Sequence, residues 1–296
     1  MDIQWFPGHM QETEAFLKKA VLKVDLVMEI LDARLPDSSS NPILKKICSN
    51  VHRIKILNKQ DLADPEITKK WLDYFADQTG ESAVVLTGTK GAEAWKAADF
   101  CLKKIKKKSR RTRVMVVGIP NTGKSTLINS LAGKKIAKTG NTPAITRQQQ
   151  RTGLKNRMDI YDTPGILWPV LDNQTKACIL AVSGAISDTA VDYTDIACYT
   201  AELLAKKYPL LLAKRYRIKD FLFDNGITLL EKIGSARGCL KKGGVLDFQK
   251  AAQILIKELR SGKIGRISLE TPDSLFNPPI DTGNTKTDLS TKTQTT

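Results

Sequence analysis

The amino-acid sequence predicts an α/β fold, in which a mostly parallel sheet with flanking helices is followed by an all-α domain. Short apolar runs alternate with amphipathic stretches over the first two-thirds of the chain, a rhythm typical of parallel sheets covered by helices. A glycine-rich loop joins the fourth apolar run to a helical stretch. After Pro169 the remaining segments have helical periodicity. We therefore expect two domains of different architecture.

The apolar runs predict five buried strands, at 24–33, 53–59, 82–87, 113–118 and 157–162. The stretches between them predict helices at 11–22, 66–78, 92–107 and 124–132. Later in the chain we predict helices at 173–183, 188–206, 215–223, 225–233 and 246–261. The predicted domains span residues 1–170 and 171–270, and the apolar-poor tail at 271–296 is expected to be disordered.

The chain is strongly basic. Among its 296 residues, 47 Lys and Arg outnumber 31 Asp and Glu, which gives a net charge of +16 at pH 7. This excess indicates a polyanionic partner, either nucleic acid or an acidic membrane surface, although a generally basic soluble protein has the same balance. The five cysteines lack metal-ligand spacing and fit free thiols in a reducing compartment. With no signal peptide and no apolar run of about 18 residues, we expect a cytoplasmic protein without a membrane helix or a metal cluster.

The segment GIPNTGKS, Gly118 to Ser125, follows a predicted strand and opens a predicted helix. That is the context of the phosphate-binding loop GxxxxGK[ST]. Gly118 and Gly123 let backbone amides face phosphate oxygens at a helix N-terminus, Lys124 is expected to reach the β- and γ-phosphates and assist catalysis, and Ser125 to bind Mg²⁺. The predicted nucleotide contacts of this loop are Asn121, Thr122, Gly123, Lys124, Ser125 and Thr126.

The motif DTPG, Asp162 to Gly165, ends the last predicted strand. Its carboxylate can hold Mg²⁺ through a water, and the amide of Gly165 can contact the γ-phosphate. The polar segment 139–150, between the two motifs, has the composition of a switch loop. Thr146 is its candidate Mg²⁺ ligand and catalytic residue, and Thr142 is the alternative.

The motif NKQD, Asn58 to Asp61, closes the strand predicted at 53–59. It fits NKxD, in which the carboxylate accepts hydrogen bonds from two guanine nitrogens, a donor pair that adenine lacks. We expect GTP to be the substrate. The predicted contacts to its base are Asn58, Lys59, Gln60 and Asp61, backed by Thr87 and Gly88 after the next strand.

The order of these motifs is unusual, because an ordinary GTPase has NKxD after its phosphate-binding loop. Here NKQD comes first, and the basic joint 103–113 connects what are the two ends of an ordinary G domain. In this order the chain resembles the circularly permuted GTPases, and within them a bacterial group that acts late in assembly of the large ribosomal subunit. The further motifs that carry the resemblance are WFPGHM (5–10), DARLP (32–36), DTPGILWP (162–169) and KKGGVLDFQKAA with GKIGR (241–266).

This resemblance implies a permuted P-loop G domain, a helical domain that touches ribosomal RNA, and GTP hydrolysis stimulated by the large subunit. Ile166 stands where many GTPases have a water-orienting glutamine, and His9 is the group's proposed substitute. Asn121 matches the asparagine with which potassium-activated GTPases hold K⁺ near the phosphates. The alternative is that Asn121 only shapes the loop.

The positive charge is clustered. Eight Lys or Arg lie within 103–113. Between 201 and 270 there are fifteen Lys or Arg and seven Asp or Glu. Since no base-stacking aromatic run occurs, we expect recognition of RNA shape and phosphates. We therefore expect a GTPase switch in late large-subunit assembly, bound to the subunit's ribosomal RNA and monomeric away from it. The alternatives are a nucleotide-gated RNA scaffold with little turnover and a GTPase of another RNA pathway.

Overall fold

The computed structural model describes residues 10–48, 51–78, 82–85, 91–105, 110–136, 150–154, 157–163, 173–221 and 224–273. Six strands in these ranges form one sheet. They are Leu26–Asp32 (β1), His52–Asn58 (β2), Ser82–Val85 (β3), Thr112–Val117 (β4), Gln150–Gly153 (β5) and Met158–Asp162 (β6). Their order across the sheet is β3-β2-β1-β4-β6-β5.

The sheet is parallel except at one edge, which confirms the mostly parallel sheet predicted from the apolar runs. Strand β1 lies near the middle, pairs in parallel with β2 and β4, and is buried along its whole length. Strand β5 pairs antiparallel with β6. The sequence pattern does not predict β5, because its four residues, QRTG, lack the apolar side chains of a buried strand.

Six helices belong to the sheet region of the described chain. They are Met10–Val21 (α1), Pro36–Ser39 (α2), Pro42–Ile47 (α3), Pro65–Asp77 (α4), Ala92–Lys103 (α5) and Lys124–Ala132 (α6). Helix α4 begins where sequence rules place it, because Pro65 fits the first turn and the Asp64 side chain accepts hydrogen bonds from two backbone amides. Helices α2 and α3 are not predicted, because four and six residues are too few to show helical periodicity.

Five helices follow the sheet region within the ranges that the structure describes. They are Gln174–Ser183 (α7), Tyr193–Lys207 (α8), Pro209–Tyr216 (α9), Gly226–Ala236 (α10) and Phe248–Arg260 (α11), with a 3-10 turn at Asp188–Ala190. The helix predicted at 215–223 is misplaced. Pro209 starts α9 earlier, and Arg217, with a φ of 57°, ends it in the left-handed region.

The helical part has its own apolar core, in which α8 packs against α10 and α11. Leu35 and Ile119, from loops of the sheet region, belong to the same buried cluster. A second cluster covers one face of the sheet under α5 and α6, and a third lies on the other face under α1 and α3. The two parts therefore share a packed apolar contact beside the glycine-rich loop.

Residues 266–270, which we call the return segment, run from the end of the helical part back to the sheet region. The backbone amide of Ile267 donates to the Leu62 carbonyl at 2.8 Å, and that of Leu269 to the Arg34 carbonyl at 2.7 Å. Trp71 donates its indole N–H to the Glu270 carbonyl at 3.3 Å. Most of the expected tail, residues 274–296, lies outside the described residues.

No helix of the described ranges is long and apolar enough to cross a membrane. Nor do the residues that the structure describes contain a group of three or more His, Cys, Asp or Glu side chains placed to hold a metal ion.

Candidate nucleotide-binding site

The glycine-rich loop connects β4 to α6 with the geometry that its glycines predict. Gly118 has a φ of 153°, and a Cβ atom there would lie 2.4 Å from the Ile30 carbonyl oxygen of the neighbouring strand. Gly123 has a φ of 96° and caps the N-terminus of α6. Because a larger residue fits neither position, these glycines bring the backbone amides of the loop to the mouth of the helix.

Lys124 is the first residue of α6 and is buried. Its Nζ donates a hydrogen bond to the Ile119 carbonyl, 2.7 Å away, within the same loop. Burial lowers the pKa of Lys124 to about 8, and the charge of Asp162 opposes part of this shift. A desolvated ammonium group with donors to spare is suited to an anionic ligand.

Asp162 ends β6 beside this lysine and is also buried. Burial raises the pKa of Asp162 to about 6, whereas Lys124 and a backbone hydrogen bond from Thr163 act against the rise. Its Oδ1 is a buried acceptor without a hydrogen-bond partner among the described residues. Such an acceptor fits a water-bound Mg²⁺ ion, and the Ser125 hydroxyl, on the first turn of α6, fits as a direct ligand.

Asn58 connects the two predicted motifs. Its Nδ2 donates to the Thr122 carbonyl of the glycine-rich loop at 2.6 Å, across 64 positions of sequence. The contact is possible because β2 and β4 both neighbour β1, so their carboxyl ends emerge at one edge of the sheet. The base-reading motif and the phosphate-binding loop thus share one site despite their reversed order.

Asp32, the last residue of β1, and Arg34, two positions later, hold the lysine of NKQD. Arg34 donates from Nε and Nη2 to the Asp32 carboxylate at 3.0 and 2.8 Å, and Lys59 donates to the same carboxylate at 2.9 Å. Burial favours the neutral form of Asp32, but these two cations outweigh it and leave the pKa of Asp32 well below its usual range. Sequence reasoning did not assign these two residues to the site; the available signal was a pair of opposite charges at the end of a predicted strand.

The remaining NKQD residues lie in the turn after β2. Gln60 is half-buried, and Asp61 is exposed and close enough to Arg34 to interact through charge. Lys59 has a positive φ of 62°, which turns the chain sharply after the strand. The Asp61 carboxylate is therefore accessible to a base.

A cavity of about 750 Å³ lies between this edge of the sheet and the helical part. Lys59, Gly123, Lys124, Ser125 and Thr126 line one side of it. The other side comes from the residues after α7 and the end of α11, including Lys257 and Arg260. Five cationic side chains and one carboxylate, that of Asp188, line this cavity. This excess of positive charge favours a ligand that carries several negative charges, such as a nucleoside triphosphate.

Asn121 links the loop to the helical part. Its Nδ2 donates to the Gly184 carbonyl at 2.5 Å, at the end of α7, and its own φ is 62°. The use of Asn121 to hold K⁺ stays a prediction. Further predicted site residues lie outside the described residues, namely His9, Thr87, Gly88, Thr142, Thr146, Gly165 and Ile166.

Known proteins are similar to this chain over most of its length. A family model described as 50S ribosome-binding GTPase matches residues 113–214. A ribosome biogenesis GTPase A from Priestia megaterium is 41% identical over 94% of this chain and 100% of the relative. One from Thermotoga maritima is 33% identical, over 92% of this chain and 96% of the relative.

Solved structures show the same likeness. A GDP-bound structure of YlqF has a TM-score of 0.66 and 31% identity, covering 87% of this chain and 99% of the other. A GNP-bound YlqF from T. maritima has a TM-score of 0.64 and 30% identity, covering 88% of this chain and 99% of the other. With its motifs, sheet order and these similarities, the chain belongs to the ribosome biogenesis GTPase A family and is a circularly permuted P-loop GTPase that binds and hydrolyses GTP.

Proposed function

We propose that this GTPase is a switch in late assembly of the large ribosomal subunit, and that its helical part docks on ribosomal RNA. The names of its relatives and the family description, 50S ribosome-binding GTPase, support a role at the ribosome. Docking on the RNA itself rests on one observation, a basic groove in the helical part.

The basic groove is a cavity of about 630 Å³ between α9, the end of α10 and residues 262–265. Its five cations are Lys214, Arg215, Arg217, Arg237 and Lys263. Glu258, on α11, pairs with Arg215 at 2.5 Å and Arg237 at 3.0 Å, so it orients two guanidinium groups. The other three cations are exposed. Guanidinium and ammonium groups arranged around a groove suit the phosphate oxygens of an RNA backbone.

For hydrolysis, we propose that water is the nucleophile and that Lys124 and the amides of the glycine-rich loop stabilise charge on the phosphates. Ser125 and Asp162 would hold Mg²⁺, which neutralises phosphate charge. Thr146 would join them in the GTP state, Gly165 would contact the γ-phosphate, and His9 would orient the water. The large subunit would stimulate this reaction.

Co-sedimentation with purified large and small ribosomal subunits tests the proposal, in the presence of a GTP analogue or GDP. The groove variant combines Lys214→Ala, Arg217→Asn and Lys263→Ala, with asparagine at 217 because it tolerates the left-handed backbone. The control variant replaces three exposed lysines of the sheet region by alanine, Lys69, Lys70 and Lys96.

We expect the large subunit alone to sediment the wild-type protein, more strongly with the GTP analogue than with GDP. The groove variant should bind the large subunit less tightly, and its affinity should depend less steeply on salt concentration. The reason is that about one counterion fewer is released on binding for each phosphate contact that the variant lacks. The control variant should bind like the wild type. Equal binding of the wild-type protein to both subunits, or normal binding of the groove variant to the large subunit, would contradict the proposal.

A further inference from the structure

The turn that carries Asp61 contains two backbone hydrogen bonds of its own. Leu62 donates its amide to the Lys59 carbonyl at 2.9 Å, and Ala63 to the Gln60 carbonyl at 3.2 Å. Beyond it, α4 begins at Pro65. A carboxylate that must meet two guanine nitrogens at once needs a backbone fixed to within about 0.5 Å.

The return segment, 203 to 206 positions later in the sequence, supplies further hydrogen bonds to this turn. Arg266 donates from Nε to the Ala63 carbonyl at 2.9 Å and from Nη2 to the Gln60 carbonyl at 3.0 Å. The Ile267 amide donates to the Leu62 carbonyl between them at 2.8 Å. Three donors of the return segment thus hold three carbonyls on either side of Asp61.

The return segment is itself anchored. Ile267 and Leu269 are buried, and Leu269 donates to the Arg34 carbonyl. The hydroxyl of Tyr208, at the junction of α8 and α9, accepts from the Ser268 amide at 3.0 Å and lies 3.3 Å from the Asp64 carboxylate. The helical part therefore fixes the return segment, and the return segment fixes the turn.

We infer that Arg266 is a positioning residue for guanine recognition, which holds the Asp61 turn in the geometry that the base requires. Arg266 contacts backbone carbonyls and not the reacting atoms, so its effect is on base affinity. The phosphate-binding loop lies on another segment, where Thr122 and Lys124 donate hydrogen bonds to the Ile119 carbonyl. The inference adds to GTP binding and does not depend on RNA docking.

Equilibrium binding of fluorescent GDP tests this inference, with KM and kcat for GTP measured alongside. Arg266→Ala should weaken GDP binding about tenfold, since it removes both hydrogen bonds by which this side chain holds the turn. KM should rise by a similar factor, while kcat at saturating GTP should stay within about twofold. The GDP affinity of Arg266→Lys should lie between those of the wild type and Arg266→Ala, because one ammonium group cannot reproduce the two hydrogen bonds of the planar guanidinium group.

Two further variants separate positioning from general stability. Lys232→Ala removes a cation of the helical part that bonds the Asp220 carbonyl and the Asp224 carboxylate, and it should leave GDP affinity unchanged. In an Asp61→Asn background, Arg266→Ala should weaken GDP binding less than about threefold, since the two act on one contact. A full tenfold loss in that background would overturn the inference.

If Arg266→Ala does not fold, Tyr208→Phe carries the test, because it removes only the hydroxyl that holds Ser268 and should weaken GDP binding about threefold. Unchanged GDP affinity in a folded Arg266→Ala protein would contradict the inference, even with a lower melting temperature. Unchanged GDP affinity in a folded Tyr208→Phe protein would also contradict the inference.

Discussion

The residues of the glycine-rich loop are recognisable from local sequence, whereas the contacts that hold the NKQD motif are not. Gly118, Gly123 and Lys124 follow a strand in a fixed pattern, so the sequence predicts their arrangement. The hydrogen bond from Lys59 to Asp32 depends on the pairing of β1 with β2, because this pairing brings two residues 27 positions apart into contact. No local pattern contains that pairing.

Replacing Lys124 tests the role that we assign to this residue in GTP hydrolysis. Lys124→Ala should lower turnover by about 10²–10³-fold, because it removes a cation placed to stabilise phosphate charge in a desolvated site. GTP turnover under saturating Mg²⁺ measures this. Lys134→Ala, an exposed lysine just beyond α6, should keep normal turnover. If Lys124→Ala keeps more than a tenth of wild-type activity, Lys124 does not have the assigned role.

At the scale of elements, prediction succeeded where a segment is long and buried. Strand β1 is predicted from an apolar run and helix α4 from an amphipathic stretch, and the structure has both. Helices α2 and α3 were missed, and α9 was misplaced, because short helices take their position from prolines, caps and tertiary contacts. The return segment has no regular structure at all, so nothing in its pattern indicates where it docks.

The return segment places a carboxylate in an unusual setting. Glu270 is 6% exposed and accepts hydrogen bonds from the amides of Asp37 and Ser38 at 3.0 and 3.1 Å, and from the Ser38 hydroxyl. Burial raises the pKa of Glu270 to about 7 and Asp37 adds to the rise, while Ser38 and the charge of Lys176 oppose it. Protonation of Glu270 should therefore favour the docked segment.

This shift predicts a pH dependence of stability. The pKa of Glu270 in the folded state lies above its ordinary value of 4.5, so the folded state binds more protons between the two. The contribution of Glu270 to stability is present below pH 4.5 and is lost as pH rises through about 7. Relative to Glu270→Gln, the free energy of unfolding of the wild type should fall by about 2.5 kcal/mol between pH 5 and 8, measured by urea unfolding.

A matched control is Glu231→Gln on the exposed face of α10, which should keep the pH dependence of the wild type. If Glu270→Gln keeps it too, Glu270 titrates at its ordinary value in the folded protein.

For the whole molecule, the permutation leaves the site intact because a sheet is defined by strand neighbours and not by their order along the chain. The chain enters β1 and β2 first, crosses through α5, and only then forms β4 with its glycine-rich loop. The sequence alone predicts that the two motifs meet. It does not predict the basic groove, because that surface is assembled from α9, α10 and the turn after α11, whose packing no single segment encodes.

The meeting of the two motifs is the central claim, and the base preference of Asp61→Asn tests it most directly. Binding of GTP and xanthosine triphosphate is measured for the wild type and the variant by competition with fluorescent GDP. Charged hydrogen bonds are worth about 1.5–3 kcal/mol each, so the variant should lose at least tenfold in GTP affinity. It should gain affinity for xanthosine triphosphate, because its amide can donate to the xanthine carbonyl. Undiminished GTP affinity in Asp61→Asn would contradict the claim and remove NKQD from the site.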